Sequence, residues 1–267
     1  MAERFWVRLE RDVLRVDGPE AGSYLQGQLS QDVVAIPAGG SAWSWLLAPT
    51  GKVEALLRVA RLGSDEWLLD TDAGWGEKVR ARLDRFKLRT KAEIELVPAL
   101  VVGLRGDGWD LAGLGASAAL VASPPWPGVD GADLVFLDGG APVGLPDDAE
   151  RAPGAYEPDR IRAGIPRMGA ELDEKTIPAE TGLVPLTVSF TKGCYTGQEL
   201  VARIDSRGGH VPRSLRLLRF DGPAEAGTDL LDGEKPAGLV TSDLDSIRPP
   251  LGRDATWERT LFSPAGV

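Results

Sequence analysis

KGCYTGQE, at residues 192–199, is the most specific pattern in the 267-residue chain, and LVAR follows it at 200–203. Thr196 and Glu199 have the spacing of a capping box. In that arrangement the threonine hydroxyl accepts from the Glu199 N–H, and the glutamate carboxylate accepts from the Thr196 N–H. The pattern therefore predicts a helix that begins at Thr196, with Cys194 two residues before it.

Cys194 is the only cysteine of the chain. The positive end of the predicted helix and the neighbouring Lys192 both favour a thiolate over a thiol. Gly193 and Gly197 carry no side chain, so another molecule or a backbone segment can approach the sulfur. A lone cysteine is more often a small buried apolar residue, but these flanking residues favour a reactive one. We predict Cys194 and Lys192 as the residues that carry the chemistry.

Composition excludes several classes of protein. The formal net charge of -10 and the pI of about 4.8 disfavour general nucleic-acid binding, because a phosphate backbone is repelled. One cysteine allows no internal disulfide and cannot supply a cluster site by itself. No stretch approaches the roughly 20 apolar residues that span a bilayer, and the start lacks a signal-peptide pattern. We expect a globular, cytoplasmic protein without membrane segments.

Strand-like and helix-like patterns alternate irregularly along the chain, which predicts an α+β fold. Residues 141–158 are rich in Pro, Gly and Asp and are expected to form an exposed connection. The predicted strands are 13–16, 41–47, 53–62, 67–69, 94–97, 134–137, 215–220 and 238–240, and the predicted helices are 20–29, 75–86 and 111–120.

The octamer resembles the signature of the YgfZ family, whose members are relatives of the T-protein of glycine cleavage. The resemblance extends to VDGPEAGSYLQGQLSQDV at 16–33, LLAPTGKVEALLRV at 46–59, RIRAGIPRMG at 160–169, TIPAETGL at 176–183 and GLVTSD at 238–243. It implies a T-protein-like clover of three parts around a central hole that binds tetrahydrofolate or a substituted reduced folate, with the cysteine loop at the rim. Residues 1–211 would form the folate-binding unit, with a ferredoxin-like part at about 41–140. Residues 212–267 would form a small β-barrel-like domain.

Members of this family are associated with making or repairing iron–sulfur proteins, including enzymes that thiolate tRNA. The resemblance therefore implies that the partners are iron–sulfur enzymes or their assembly proteins. Guanidinium groups match carboxylates in geometry, so the candidates to pair with the glutamate tail of a folate are Arg160, Arg162, Arg203 and Lys192. Glu180 is a candidate to contact the pterin; the alternative is that it is a charge on an exposed loop. The candidate folate-contacting residues are Glu54, Arg160, Arg162, Glu180, Tyr195, Gln198, Glu199 and Arg203.

Three residues, at two places in the sequence, depart from the T-protein pattern. T-proteins carry two adjacent aspartates where this chain has Glu54 and Ala55, and a pterin-binding glutamate where it has Arg162. A guanidinium only donates hydrogen bonds, so it cannot replace a carboxylate that accepts them. These departures favour an accessory protein for iron–sulfur enzymes over the alternative, a folate-dependent aminomethyltransferase-like enzyme. A thiol redox protein, limited to mixed disulfides with partners, is a third possibility.

The end of the chain also departs from expectation. Residues 247–267, IRPPLGRDATWERTLFSPAGV, show no strand alternation. We therefore expect the last strand of the small β domain to be lost or replaced, and the tail from about residue 248 to be poorly ordered.

Overall fold

A computed structural model describes residues 4–124, 126, 128–219, 225–232, 234–242 and 258–262. Its strands are β1 (Phe5–Leu9), β2 (Arg11–Asp17), β3 (Ser41–Leu47), β4 (Val53–Arg61), β5 (Glu66–Asp72), β6 (Glu93–Val97), β7 (Ala99–Arg105), β8 (Leu120–Ala122), β9 (Gly131–Leu137), β10 (Glu150–Arg151), β11 (Leu215–Arg219), β12 (Asp229–Asp232), β13 (Lys235–Leu239) and β14 (Glu258–Phe262). Its helices are α1 (Ala21–Gln28), α2 (Gly76–Phe86), α3 (Leu111–Leu114), α4 (Glu157–Arg162), α5 (Val184–Thr187) and α6 (Gln198–Ser206).

Within these ranges the strands form three sheets. The first sheet has the order β10-β1-β7-β9-β8, the second β3-β4-β5-β2-β6 and the third β11-β14-β13-β12. Strand β1 pairs antiparallel with β7 and parallel with β10, and the remaining pairs are antiparallel. Only Glu10 separates β1 from β2, so the chain crosses from the first sheet to the second at that residue.

Helices α1 and α2 cover one face of the second sheet. Leu25 of α1 and Leu83 of α2 are fully buried in one apolar cluster with Leu14, Leu57 and Leu69 of the sheet. Charged residues lie between the apolar positions of α2, as expected of a helix with one buried face. Burial of this face holds both helices on the sheet.

The opposite face of the second sheet meets the first sheet. Val13 and Leu68 from the second sheet share a cluster with Val101 and Val135 from the first. A further cluster joins β3 and β4 to the segment that follows α4: Trp45 and Leu56 pack with Met168, Tyr195 and Val201. The apolar residues of the segment 163–201 are thereby packed against the second sheet.

The α+β class is confirmed, and most predicted elements are present. Three expectations are wrong in detail. The helix predicted at 111–120 ends at Leu114, and Leu120 begins β8. The segment 141–158 is more than an exposed connection, because it supplies β10 to the first sheet. Glu258–Phe262 forms β14, which pairs with β11 and β13.

Backbone pairing between two neighbouring strands explains β14 despite its weak alternation, since β-propensity yields to tertiary context. The rest of the tail for which disorder is expected, residues 248–257 and 263–267, lies outside the described residues. The boundary near residue 211 stays a prediction; the third sheet lies entirely after it. The strands of 41–140 are divided between the first and second sheets.

Candidate functional site

A cavity of about 390 Å³ lies between the first and second sheets. Strands of both sheets contribute its walls, and residues 153–169, which include α4, contribute the remaining side. We call it the central cavity. Its walls combine aromatic side chains with an unusual number of charged ones.

The second sheet supplies one half of a charged network in this cavity. The Arg11 guanidinium lies 2.8 Å from the Asp70 carboxylate and 2.7 Å from that of Asp72. Arg58 Nε lies 2.6 Å from the other oxygen of Asp70. Asp72 also accepts from the backbone N–H of Met168 at 2.9 Å, which ties the segment after α4 to the cavity wall.

The first sheet supplies the other half. Asp133 accepts a hydrogen bond from Arg58 at 3.0 Å and forms an ion pair with Arg105 at 2.9 Å, so it bridges the two sheets. Burial alone would raise the pKa of Asp133, but the guanidinium groups of Arg105 and Arg58 outweigh it and hold that pKa below its ordinary value. The Arg105 guanidinium also stacks on the Tyr156 ring, 4.5 Å from its centroid.

An aromatic wall faces this network. The ring centroids of Trp43 and Trp126 lie 5.0 Å apart with the planes tilted by 57°. Arg11 lies over the Trp43 ring at 5.4 Å, within cation–π range. Such a wall offers flat apolar surface to a ring system while the charged network offers hydrogen-bond partners.

Arg160 is the candidate folate-contacting residue that lines the central cavity. It donates to Glu157 at 2.9 Å, to Glu171 at 3.1 Å and to the carbonyl of Ile165 at 2.6 Å. It also donates to the Ser242 hydroxyl at 3.1 Å, and that hydroxyl bonds to Glu171 in turn. The RIRAGIPRMG and GLVTSD segments therefore meet at the cavity wall through buried hydrogen bonds.

The cavity mouth carries two more cations. Arg8 and Arg167 have side chains 63% and 47% exposed, and each pairs with a glutamate: Arg8 with Glu150 at 3.4 Å and Arg167 with Glu157 at 3.1 Å. Exposed pairs of this kind are weak and exchange partners readily. They can therefore receive an anionic group at the mouth.

Three other candidate residues lie elsewhere. Glu54 pairs with Arg82 at 2.6 Å beside a second cavity of about 300 Å³. Arg162 pairs with Asp159 at 3.3 Å at the surface. Glu180 accepts from the Ile177 N–H at 3.1 Å and from Arg213 at 3.0 Å.

The KGCYTGQE loop departs from the predicted capping box. Helix α6 begins at Gln198 after Gly197, whose φ is +82°, and no side chain caps it. The Thr196 N–H donates instead to the Gly27 carbonyl at 3.1 Å, and the Tyr195 N–H donates to Gln198 Oε1 at 3.2 Å. The left-handed turn at Gly197 carries Thr196 away from the first helical N–H groups, so the capping box is wrong.

Cys194 is exposed, whereas the adjacent Tyr195 is buried. Burial raises the pKa of Tyr195 to about 12, so its hydroxyl is neutral near pH 7. Glu199 and Arg203 lie exposed on α6. None of these residues is among the described residues that line the central cavity. The thiol and the cavity are thus two separate features.

Gly197 allows two backbone segments to meet, which gives a testable expectation. A Cβ at this position would lie 2.5 Å from the Ala48 carbonyl oxygen and 2.8 Å from Leu47 Cβ. With the added strain of positive φ, Gly197→Ala should lower the free energy of unfolding by at least about 2 kcal/mol. Gly193→Ala is the matched control, because nothing lies within 4 Å of its added methyl. Equal denaturation midpoints for the two variants would contradict this reading.

Most residues of the cavity network were not predicted from the sequence. The available signal was charge inside otherwise apolar strands: Arg58 interrupts LLRVA in β4 and Asp70 interrupts WLLDT in β5. Charged residues are almost never fully buried unless paired, so each predicts a buried partner. The identity of that partner depends on strand order, which spacing alone does not give.

In the described part of the chain, no helix has the length and apolar character that crossing a membrane requires. No group of three or more His, Cys, Asp and Glu side chains in that part is arranged to hold a metal ion.

No protein-family model matches the chain. A mitochondrial iron–sulfur cluster assembly factor IBA57 homologue from Chaetomium globosum is 29% identical over 258 residues, covering 81% of this chain and 56% of that protein. The tRNA-modifying protein YgfZ of Edwardsiella ictaluri is 29% identical over 235 residues, covering 77% of this chain and 68% of that protein. The chain thus spans little more than half the length of the first relative.

Among solved structures, aminomethyltransferase T of the glycine cleavage system from Bartonella henselae matches with a TM-score of 0.78 at 20% identity, covering 98% of this chain and 79% of that one. This likeness defines a protein with the T-protein fold, as the sequence predicts. The chain is also similar in sequence to relatives named YgfZ and IBA57, and this similarity together with the shared fold supports the predicted resemblance to the YgfZ family.

Proposed function

We propose that this chain is an accessory protein for iron–sulfur enzymes, including enzymes that modify tRNA, and that it binds a reduced folate in the central cavity. The observation that carries the folate part is the cavity itself, which joins an aromatic wall to a polar network between the two sheets. The iron–sulfur part is supported by the printed names of the YgfZ and IBA57 relatives. We further propose that it acts in the cytoplasm, as the sequence predicts.

The residues present fit a folate. A volume of about 390 Å³ lies in the range of small-molecule sites, roughly 300–1,000 Å³. Trp43 and Trp126 would receive the flat ring system. The carboxylates of Asp70 and Asp133 have further lone pairs that would accept hydrogen bonds from N–H groups of the pterin. Arg167, at the mouth of the cavity, would pair with a carboxylate of the glutamate tail. A reduced folate, when bound, supplies a carrier of one-carbon units.

Cys194 is the proposed reactive group toward iron–sulfur partners. Its exposure makes the sulfur accessible to another protein. A thiolate is a soft ligand and a nucleophile in sulfur exchange, both of which suit iron–sulfur chemistry. With one cysteine in the chain, any cluster it contacts needs ligands from the partner.

A folate-dependent aminomethyltransferase remains the alternative, because the T-protein fold is shared. Three positions argue against it. Ala55 is buried in the apolar core, Glu54 pairs with Arg82 beside the second cavity, and Arg162 pairs with Asp159 at the surface. No acid from these positions lines the central cavity. Aminomethyl transfer by pure protein with tetrahydrofolate would favour the alternative.

A titration with tetrahydrofolate and 5-formyltetrahydrofolate tests the binding proposal. A ligand that binds only the folded state raises the melting temperature with the logarithm of its concentration. We expect Trp43→Leu to weaken binding about tenfold, because it removes a stacking face. Trp75→Leu is the matched control, since Trp75 lines the second cavity. The opposite ranking would move the site to the second cavity, and no shift with either folate would end the folate proposal.

A further inference from the structure

Lys192 occupies an unexpected position for a residue thought to act on a thiolate. Its ammonium donates to three backbone carbonyls, those of Gln26 at 2.5 Å, Leu29 at 2.6 Å and Gln31 at 2.8 Å. An ammonium has three N–H donors, so all of them are used. None remains for the sulfur of Cys194.

These carbonyls lie at the carboxyl end of α1 and in the turn after it. Helix α1 ends at Gln28, and the last carbonyls of a helix lack intrahelical partners. A cation there is favoured by the helix dipole as well as by the hydrogen bonds. Burial lowers the pKa of Lys192 to about 8, so the ammonium is still mostly protonated at neutral pH.

Other bonds join the same two segments. The Ser189 N–H donates to the Ser30 carbonyl at 3.0 Å, and the Thr196 N–H donates to the Gly27 carbonyl at 3.1 Å. The Ser30 hydroxyl donates to the Thr187 carbonyl at 2.6 Å. Residues 187–196 are therefore held along residues 26–31 at both ends, and Lys192 fastens the middle.

We propose that Lys192 is a positioning residue: its ammonium holds the segment 187–196 on the carboxyl end of α1 and so fixes Cys194 at the surface, without acting on the sulfur directly. The proposal rests on the proposed role of Cys194. It assigns the lysine and the cysteine of KGCYTGQE different tasks, one architectural and one chemical.

Lys192→Met tests this, because it keeps the chain length and removes the ammonium. Lys91→Met, at an exposed lysine, is the matched control. We expect amide exchange at Ser189 and Thr196 to become at least about tenfold faster in the first variant, with little change in the core strands. The control should exchange like the wild type. Unchanged exchange in Lys192→Met would overturn the proposal.

Alkylation of Cys194 separates positioning from charge. Iodoacetate is anionic and iodoacetamide is neutral, so a cation beside the sulfur speeds the first relative to the second. We expect the ratio of the two rates in Lys192→Met to stay within about twofold of the wild type, because the ammonium points into carbonyls. A ratio that falls several-fold, or a shifted pH midpoint of alkylation, would assign Lys192 a direct effect on the sulfur and overturn the proposal.

Support of iron–sulfur enzymes in cells lacking the native protein completes the test. Lys192→Met should lose more support than Val79→Ala, a core variant chosen to match its melting temperature. Equal losses would mean that Lys192 contributes stability alone, against the proposal. If Cys194→Ser kept full support while Lys192→Met still loosened the segment, the proposed chemical role of Cys194 would fail and the positioning role would stand.

Discussion

Cys194→Ser is expected to abolish support of iron–sulfur enzymes while leaving the fold and folate binding unchanged. Serine is close to cysteine in size, and residue 194 is exposed, so the loop loses no packing. Its hydroxyl is not ionised near neutral pH and is a poor ligand for soft metals or partner in sulfur exchange. The measurement is the activity of iron–sulfur enzymes in a strain lacking the native protein, with the variant supplied at wild-type level.

Ser189→Ala is a useful control for this variant, because Ser189 lies in the same segment and its backbone N–H bond to Ser30 is retained. It should support the enzymes as well as the wild type does. Wild-type support by Cys194→Ser would exclude a chemical role for the thiol. The importance of KGCYTGQE would then lie in its backbone and polar groups.

Asp133→Asn is expected to lower the free energy of unfolding by about 3–5 kcal/mol, the usual effect of removing one partner from a buried ion pair. Asp133 is 8% exposed and is shared by Arg58 and Arg105, each 4% exposed or less. The amide keeps the size but removes the negative charge, so two buried guanidinium groups lose a counterion. Denaturant titration measures the change. Folate binding should weaken as well, since Asp133 lines the central cavity.

The stability difference should depend on pH in a defined direction. The pKa of Asp133 is lowered in the folded protein from its ordinary 3.8. The stability it adds is therefore fully present above about pH 4 and is lost as the pH falls through the lower folded value. The gap between wild type and Asp133→Asn should be constant near neutral pH and shrink only in acid. Glu77→Gln, which breaks an exposed pair with Arg80, should change stability little at any pH.

Local patterns identified most of the fold because they report burial directly. The apolar periodicity of α2 and the run of β4 predict elements whose bounds nearly match the structure, and the predicted strand 67–69 covers only the first half of β5. Strands β10 and β14 were missed for one physical reason. Each is short, and its strand geometry depends on pairing with residues distant in sequence: Glu150 with Trp6, and Phe262 with Leu215.

The candidate site was predicted less completely. Cys194 was predicted because its flanking residues are specific, and its role stays a prediction; Arg160, predicted from the resemblance, lines the central cavity. Glu54 forms an ion pair with Arg82 beside the second cavity, and Arg162 forms one with Asp159 at the surface. Residue type alone does not reveal these partners. Arg58, Asp70 and Asp133 were missed because their network forms only when two sheets pack together.

The partners of β1 have a consequence for synthesis of the protein. This strand leaves the ribosome well before its partners, because it pairs with β7 at residues 99–105 and with β10 at 150–151. At typical rates of translation, completing that stretch takes on the order of ten seconds. Until both partner strands have emerged, Trp6 and Val7, buried in the finished protein, lack part of their native contacts. The nascent chain should therefore be a substrate for ribosome-associated chaperones until about residue 150 has emerged.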